Sequence, residues 1–203
     1  NDSIGGYSTT IQIVVTVFMI LFGINFNVYF LLLSKKWKQA LKNEEVRWYL
    51  AIILGAILLI GWNIRGVYGS MGKAIQQAAF QVASIITTTG FATVDFNLWP
   101  EVSRTILVLL MFVGACAGST GGGIKFSRFI ILLKAMKKEI KQYLHPRQIR
   151  KIQMDGRVVE HEVVRNVNVF MVVYIMIFAT SMFVLAFDNL DLITKFYGGC
   201  GNF

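Results

Sequence analysis

The fold of this 203-residue chain is decided by the stretch Ile85-Ile86-Thr87-Thr88-Thr89-Gly90-Phe91-Ala92-Thr93. Three threonines lead into a glycine between apolar neighbours, so hydroxyl and carbonyl oxygens follow one another without a charged side chain. Selectivity filters use oxygens of this kind to replace the water shell of a dehydrated cation. Residues 87–93 are therefore predicted to form part of a cation filter at membrane depth.

The composition around this stretch is that of an all-α membrane protein. Hydrophobic residues make up 55% of the chain and charged residues 15%, whereas globular proteins are about 25% charged. The mean hydropathy is +0.59. A helix needs about 20 apolar residues to cross a bilayer. Four apolar runs approach this length, the last of them interrupted by glycines: Ile11 to Leu33, Trp48 to Tyr68, Asn166 to Phe187, and Val102 toward Leu133.

The net charge of +9 comes mainly from two clusters of Lys and Arg, within residues 35–47 and 134–165. Cytoplasmic loops of membrane proteins carry such an excess, and anionic lipid headgroups attract it. We therefore expect both clusters on the cytoplasmic side, in contact with membrane lipid. No aromatic-interleaved basic motif indicates a nucleic-acid partner, and none is predicted.

Residues 73–86 contain good helix formers and neither proline nor glycine. At about 1.5 Å per residue such a helix reaches about 21 Å, which is shorter than the ~30 Å hydrocarbon core. This length favours a re-entrant pore helix that enters from the outside, stops midway and continues as extended chain. An interfacial or surface-packed helix is the alternative.

A pore helix that ends at residue 86 directs the negative end of its dipole at a cation path. The carbonyls of Thr87, Thr88 and Thr89 are the candidate ligands. Gly90 can adopt a positive φ angle, which lets successive carbonyls point into one lumen. A β-strand is the competing interpretation because threonine favours strands, but an isolated strand has no stable place in lipid.

A second motif, residues 114–125, interrupts the apolar run that begins at Val102. Each glycine costs a helix about 1 kcal/mol relative to alanine, so the helix is predicted to break into a polar, flexible loop that acts as a gate. Close helix packing through small residues is the alternative. A Walker loop is disfavoured, because Ile124 separates the last glycine from the lysine. The candidate gate residues are Gly114, Gly118, Ser119, Thr120, Gly121, Gly122, Gly123 and Lys125.

The sequence carries no constellation typical of an enzyme. Cys116 and Cys200 are far apart, and neither His145 nor His161 has a metal-ligating partner at i, i+4 spacing. A disulfide framework and a cysteine-based metal site are therefore not predicted. The chain is predicted not to be an enzyme.

Together, the threonine–glycine stretch and the glycine motif one span later resemble the third repeat of TrkH-type potassium transporters, members of the Trk/Ktr/HKT superfamily. The loop that opens with His145 and Pro146 is more similar to Trk than to Ktr proteins. The resemblance implies four span–pore helix–span repeats around a single pore. It also implies K⁺ uptake by symport across the bacterial inner membrane.

The same resemblance implies roles for individual residues and partners. Thr88 and Thr89, with Thr87, would coordinate K⁺ through their carbonyls, and Gly90 would be the filter glycine. Residues 114–123 would form the gate beneath the filter. The implied partners are the remainder of the four-repeat transporter, a second copy in a homodimer, and a cytoplasmic nucleotide-binding regulatory subunit.

The resemblance also divides the chain into one complete repeat between two half-repeats, so the sequence is expected to be a piece of a longer polypeptide. A non-conducting membrane scaffold or assembly subunit is the alternative, because the chain holds one filter segment of four. The predicted segments are a closing span of the preceding repeat (1–34), a basic cytoplasmic loop (35–47), a complete repeat (48–143), a cytoplasmic loop (144–165) and a truncated opening span of the next repeat (166–203). Within the complete repeat they are an opening span (48–68), a pore helix (73–86), a filter (87–93) and a broken span (102–143).

Overall fold

The computed structural model of the chain describes residues 3–145, 151–185 and 187. The described part is helical apart from a short hairpin, so the prediction of a mainly helical protein is confirmed. The chain divides into two compact units, Asn1–Phe126 and Ser127–Phe203, and each is described by itself. Residues 146–150 of the predicted loop 144–165 and the tail from residue 188 onward lie outside the described residues.

The first unit is built from helices joined by short connections. Their bounds are α1 Thr9–Phe22, α2 Phe26–Leu33, α3 Trp37–Lys42, α4 Glu44–Asn63, α5 Arg65–Tyr68, α6 Met71–Ile86, a single 3₁₀ turn at Phe96–Leu98, and α7 Glu101–Phe112. The predicted pore helix therefore corresponds to α6, and the predicted opening span overlaps α4 and α5.

Helices α4 and α6 form the core of the first unit. One face of α4 is buried through side chains such as Tyr49 and Ile53, which pack in one cluster with Ala78 of α6. Small side chains on α6 let the two helices approach closely. The opposite face of α4 exposes Leu54 and Leu58 at 60% and 59%. A helix that buries one apolar face and exposes another is suited to packing on protein and lipid at once.

The apolar run from Ile11 to Leu33 is not one helix, because α1 and α2 meet at an angle of 91°. Helix α1 ends before Gly23, and Asn25 caps the start of α2 by accepting a hydrogen bond from the Asn27 N–H at 2.9 Å. Asparagine is among the preferred helix N-caps. The sequence analysis treats this run as a single closing span, and the break was not foreseen.

By length and composition, α4 and α9 (His161–Leu185) are able to cross a membrane, and the bent pair α1–α2 is a third candidate. Helix α7 has 12 residues and reaches only about 18 Å. In the apolar window of α4, 44% of residues are buried, compared with 6% in α9. Most of the apolar surface of α9 is thus free to contact lipid or further protein.

The second unit contains α8 (Phe126–Leu144), a hairpin of β1 (Gln153–Met154) and β2 (Arg157–Val158), and α9. The hairpin turn is Asp155-Gly156, with φ angles of +51° and +76°. Two positive φ angles at an Asp-Gly pair are typical of a tight hairpin turn. The sequence analysis assigned this region to a cytoplasmic loop and missed the hairpin, although the Asp-Gly pair was the signal for it.

Candidate functional site

Helix α6 ends in a Schellman motif formed by the three threonines. The Thr88 N–H donates to the Ile85 carbonyl at 3.1 Å, and the Thr89 N–H donates to the Ser84 carbonyl at 2.9 Å. Thr88 occupies the position that glycine normally takes, with φ at +54°. A left-handed conformation costs a residue with a Cβ about 1–2 kcal/mol. The turn at Thr88 replaces the extended chain expected directly after residue 86.

Side chains of α6 hold the segment that follows the turn. The Ser84 hydroxyl donates to the Phe91 carbonyl at 2.5 Å, and the Thr93 hydroxyl donates to the Gln77 side-chain oxygen at 2.6 Å. The Thr87 hydroxyl donates to the Ala83 carbonyl at 2.7 Å. The segment 87–93 is therefore fixed against α6 at its beginning and at its end.

Between these fixed ends the chain is exposed at four consecutive residues, which are Thr88, Thr89, Gly90 and Phe91. Gly90 has a φ angle of +77°, which confirms that it uses the conformation available to glycine. Within the described residues, the carbonyls of Thr88, Thr89 and Gly90 accept no hydrogen bond. The neighbouring carbonyls of Thr87 and Phe91 accept one each, from the Thr88 and Ser84 hydroxyls.

The residues between α7 and α8, 113–125, are not helical, and we call them the glycine loop. Its two ends pair with each other: the Gly114 N–H donates to the Ile124 carbonyl at 2.9 Å, and the Phe126 N–H donates to the Ala115 carbonyl at 3.1 Å. The ammonium of Lys125 donates to the Gly121 carbonyl. The loop is thus closed by main-chain bonds, whereas the sequence analysis expected a flexible segment.

The glycine loop docks on the break between α1 and α2. The Cys116 N–H donates to the Gly23 carbonyl at 3.0 Å, and the Phe26 N–H donates to the Gly118 carbonyl at 3.1 Å. A bend between two helices frees main-chain groups that need partners, and the loop supplies them. This exchange of hydrogen bonds is the physical reason for the bend.

Gly114 and Gly121 lie so close to other atoms that a side chain at either position would collide with them. A Cβ on Gly114 would lie 2.5 Å from the Gly122 carbonyl oxygen and 2.8 Å from that of Ile124. A Cβ on Gly121 would lie 2.6 Å from the Ala115 Cβ. At these positions the close contacts are with other residues of the loop and with Thr87, and not between two packed helices.

The segment 87–93 and the glycine loop touch directly. The Gly122 N–H donates to the Thr88 hydroxyl at 2.6 Å, across 34 residues of sequence. The same hydroxyl donates to the Thr87 carbonyl at 2.7 Å. One threonine thus joins the end of α6 to the loop beneath it, so a movement of either segment displaces the other.

Replacing Thr88 with valine is expected to loosen this junction. Valine keeps the shape of the side chain but removes the acceptor of the Gly122 N–H, an exposed hydrogen bond whose loss costs about 0.5–1.5 kcal/mol. Amide hydrogen exchange of Gly122 in the purified protein should accelerate by up to roughly tenfold. Thr105→Val is the control, because the Thr105 hydroxyl donates only within α7, to the Glu101 carbonyl. Equal exchange at Gly122 in both variants would contradict the junction.

The structure brings together the residues that the sequence analysis selected. Thr88 contacts Gly122, and a Cβ on Gly121 would lie 3.3 Å from the Thr87 carbonyl oxygen. Three residues that hold these segments in place were not predicted from the sequence, which are Gln77, Ser84 and Glu45. For Glu45 the available signal was an acid at the start of an apolar helix. For Ser84 and Gln77 it was their seven-residue spacing, which places them on one face of α6.

Helices that are long and apolar enough to cross a bilayer are typical of a helical membrane protein. A family model described as TrkH, a cation transport protein, matches residues 1–196. The chain belongs to the TrkH family, so the resemblance noted in the sequence is confirmed. It is a family of transporters rather than of enzymes.

Named relatives and a solved structure agree with this assignment. The chain is 34% identical to the Trk system potassium uptake protein TrkG of Escherichia coli (strain K12), over 96% of this chain and 43% of that protein. It is 31% identical to TrkH of the same strain, with the same coverage. The crystal structure of the potassium transporter TrkH from Vibrio parahaemolyticus is similar at a TM-score of 0.90 and 30% identity, over 98% of this chain and 44% of that one. The chain therefore spans less than half the length of these relatives.

Proposed function

We propose that this chain supplies one of the four filter segments of a potassium uptake transporter, together with its gating loop. Residues 87–93 form the filter segment and residues 114–125 the gate. The relatives TrkG and TrkH are named potassium uptake proteins, which supports K⁺ as the transported ion. The chain covers 43% of those proteins, so uptake belongs to the complete four-repeat transporter.

The observation that carries the proposal is that three consecutive exposed carbonyls, those of Thr88, Thr89 and Gly90, accept no hydrogen bond within the described residues; we call them the oxygen row. Main-chain carbonyls at membrane depth need a partner. A dehydrated K⁺ ion supplies that partner. Three further repeats, each with its own row of oxygens, would complete the ring around the ion.

The length of α6 and the segment that follows its C-terminus support a role as a re-entrant pore helix. The 16 residues of α6 reach about 24 Å, less than the ~30 Å hydrocarbon core. Its last turn leads directly into Thr88, so the negative end of the helix dipole lies beside the oxygen row. The helix thereby adds to the attraction for a cation.

The glycine loop supports a gate below the filter because it interrupts the broken span at 102–143 and touches Thr88. Helices broken at membrane depth line ion paths in transporters. The basic segments at 35–47 and 144–165 face the cytoplasm and anionic lipid in this proposal. Symport, a homodimer, a nucleotide-binding regulatory subunit and the bacterial inner membrane belong to the same proposal.

Potassium-dependent protection of the filter segment tests the proposal. Thr89→Cys is introduced into a four-repeat transporter that carries this sequence and whose native cysteines are replaced by serine. Because the ion occupies the oxygen row, K⁺ should slow labelling of the Thr89→Cys variant by a thiol reagent, and Na⁺ at equal ionic strength should slow it less. Leu98→Cys is the matched control, since Leu98 is exposed at 79% outside the filter segment.

A non-conducting scaffold or assembly subunit is the second candidate, because the chain contains one filter segment where a filter needs four. The same experiment separates the two functions. A scaffold predicts that K⁺ and Na⁺ give equal labelling rates at Thr89→Cys and at Leu98→Cys. That result would contradict the role in potassium uptake.

A further inference from the structure

Glu45 is buried in the first unit at 3% exposure. Among the described residues it is the one Asp, Glu, Lys, Arg or His that is buried to this degree. A buried carboxylate is costly unless it is hydrogen-bonded. Its Oε1 accepts a hydrogen bond from the Ala117 N–H at 2.7 Å, across 72 residues of sequence. One contact that offsets the burial is therefore with the glycine loop.

Capping of the N-terminus of α4 does not explain why the Glu45 side chain is buried. Asn43 already caps the helix, because its side-chain oxygen accepts the hydrogen bond of the Val46 N–H at 3.0 Å. The positive end of the helix dipole stabilises a carboxylate in the first turn, but an exposed one gains this stabilisation as well. Helix capping therefore does not require Glu45 to be buried, whereas its hydrogen bond to Ala117 brings it against the loop.

We infer that Glu45 is a positioning residue whose hydrogen bond to the Ala117 N–H holds the glycine loop against the start of α4. We call this hydrogen bond the latch. The inference rests on the proposed function of this loop as a gate. Cys116 and Gly118, on either side of Ala117, bond to main-chain groups of the α1–α2 break. Ala117 is held by a side chain. Glu45 is therefore a place where a substitution releases the loop without altering that break.

Cys116 provides a native reporter of the latch. Its thiol is free and its side chain is fully buried, at 0% exposure. A maleimide reacts with it only when the loop opens, so the labelling rate follows the open population if opening and closing are fast. The four-repeat transporter is used with every other cysteine, including Cys200, replaced by serine.

Glu45→Ala is expected to raise the labelling rate of Cys116 by N-ethylmaleimide roughly tenfold or more, because a hydrogen bond to a charged acceptor is lost. Glu45→Gln should give a smaller increase, since the amide oxygen still accepts the Ala117 N–H without the charge. Glu44→Gln removes the same charge one residue earlier, from a less buried position, and should leave the rate unchanged. A wild-type labelling rate in Glu45→Ala would overturn the inference.

Global destabilisation is separated from release of the loop by a second reporter. Val82 is buried at 0% exposure in α6, and Val82→Cys in a Cys116→Ser background reports opening of the core. Glu45→Ala should leave its labelling rate unchanged, and an increase equal to that at Cys116 would contradict a local latch. If Glu45→Ala fails to fold, Glu45→Asp, which keeps the charge on a shorter side chain, must accelerate Cys116 labelling. Wild-type rates in both the Asp and Gln variants would then overturn the inference.

Rubidium uptake by the same variants distinguishes this inference from the proposed function. Glu45→Ala should change the uptake rate while the ratio of rubidium to sodium uptake stays constant. If the unmutated transporter shows no potassium-selective uptake, the proposed function fails, and the labelling rates still test the latch. If uptake is selective but the labelling rate of Cys116 is the same in the wild type and in the Glu45 variants, the inference about Glu45 is wrong and the proposed function is not.

Discussion

Replacing Gly90 with serine is expected to reduce selectivity for potassium over sodium roughly tenfold in a four-repeat transporter that carries this sequence. The reason is conformational, because Gly90 has a φ of +77° and a Cβ there would meet nothing within 4 Å. A left-handed residue with a Cβ is strained by about 1–2 kcal/mol, which corresponds to roughly a five- to thirtyfold change in an equilibrium. The serine relieves that strain by turning its peptide group, and the oxygen row loses its spacing. Rubidium and sodium uptake into vesicles measure the ratio.

Gly69 offers a matched control for the strain itself. It has a φ of +62°, and a Cβ there would also meet nothing within 4 Å, but it lies at the end of α5, outside the filter segment. Gly69→Ser should therefore carry a similar conformational cost without a change in ion selectivity. A loss of selectivity in both variants, or in neither, would contradict the role of Gly90.

Replacing Gly114 with alanine is expected to change the uptake rate by an order of magnitude and to leave selectivity unaltered. The added Cβ would lie 2.5 Å from the Gly122 carbonyl oxygen and 2.8 Å from the Ile124 carbonyl oxygen. Both neighbours are main-chain atoms, so the loop itself must move, at a cost of about 1–3 kcal/mol. Initial rates of rubidium uptake, with the rubidium-to-sodium ratio, measure the effect.

Gly55→Ala is the control for a glycine replaced within the same unit. Gly55 lies inside α4, where a Cβ would meet nothing within 4 Å, so alanine should leave transport unchanged. Replacing Gly121, Gly122 and Gly123 together with alanine should alter gating in the same sense as Gly114→Ala. If both loop variants showed the uptake and regulation of the wild type, the proposed role of the glycine loop as the gate would be contradicted.

The local features of the site were predictable from the sequence. The absence of glycine and proline from residues 73–86 predicts a helix, and that range lies within α6. The positive φ of Gly90 follows from its place between a helix end and a returning segment. The end of α7 before the glycine motif follows from the cost of glycine in helices. Each of these features depends on neighbours in sequence.

The features that sequence reasoning missed depend on contacts across long separations. Thr88 adopts φ of +54° while its hydroxyl accepts from Gly122, 34 residues away. Strained main-chain conformations of this kind persist where surrounding contacts fix them. The bend at Gly23 follows from its carbonyl bonding to the Cys116 N–H. Periodicity in an apolar run carries no information about such partners.

The arrangement of the described unit places residues 87–93 and Glu45 on the same loop. Thr88 bonds to the glycine loop. Glu45 belongs to the first turn of α4 and bonds to the same loop. The loop is therefore in contact with both segments, and a change at either one biases its position.

Anomalous diffraction from rubidium tests the central claim most directly. A four-repeat transporter that carries this sequence is crystallised in a rubidium salt, and the anomalous map is calculated at the rubidium absorption edge. The account predicts a peak within coordinating distance of the carbonyl oxygens of Thr88, Thr89 and Gly90. Rubidium density elsewhere along the path, with these three oxygens bonded to protein donors, would contradict it.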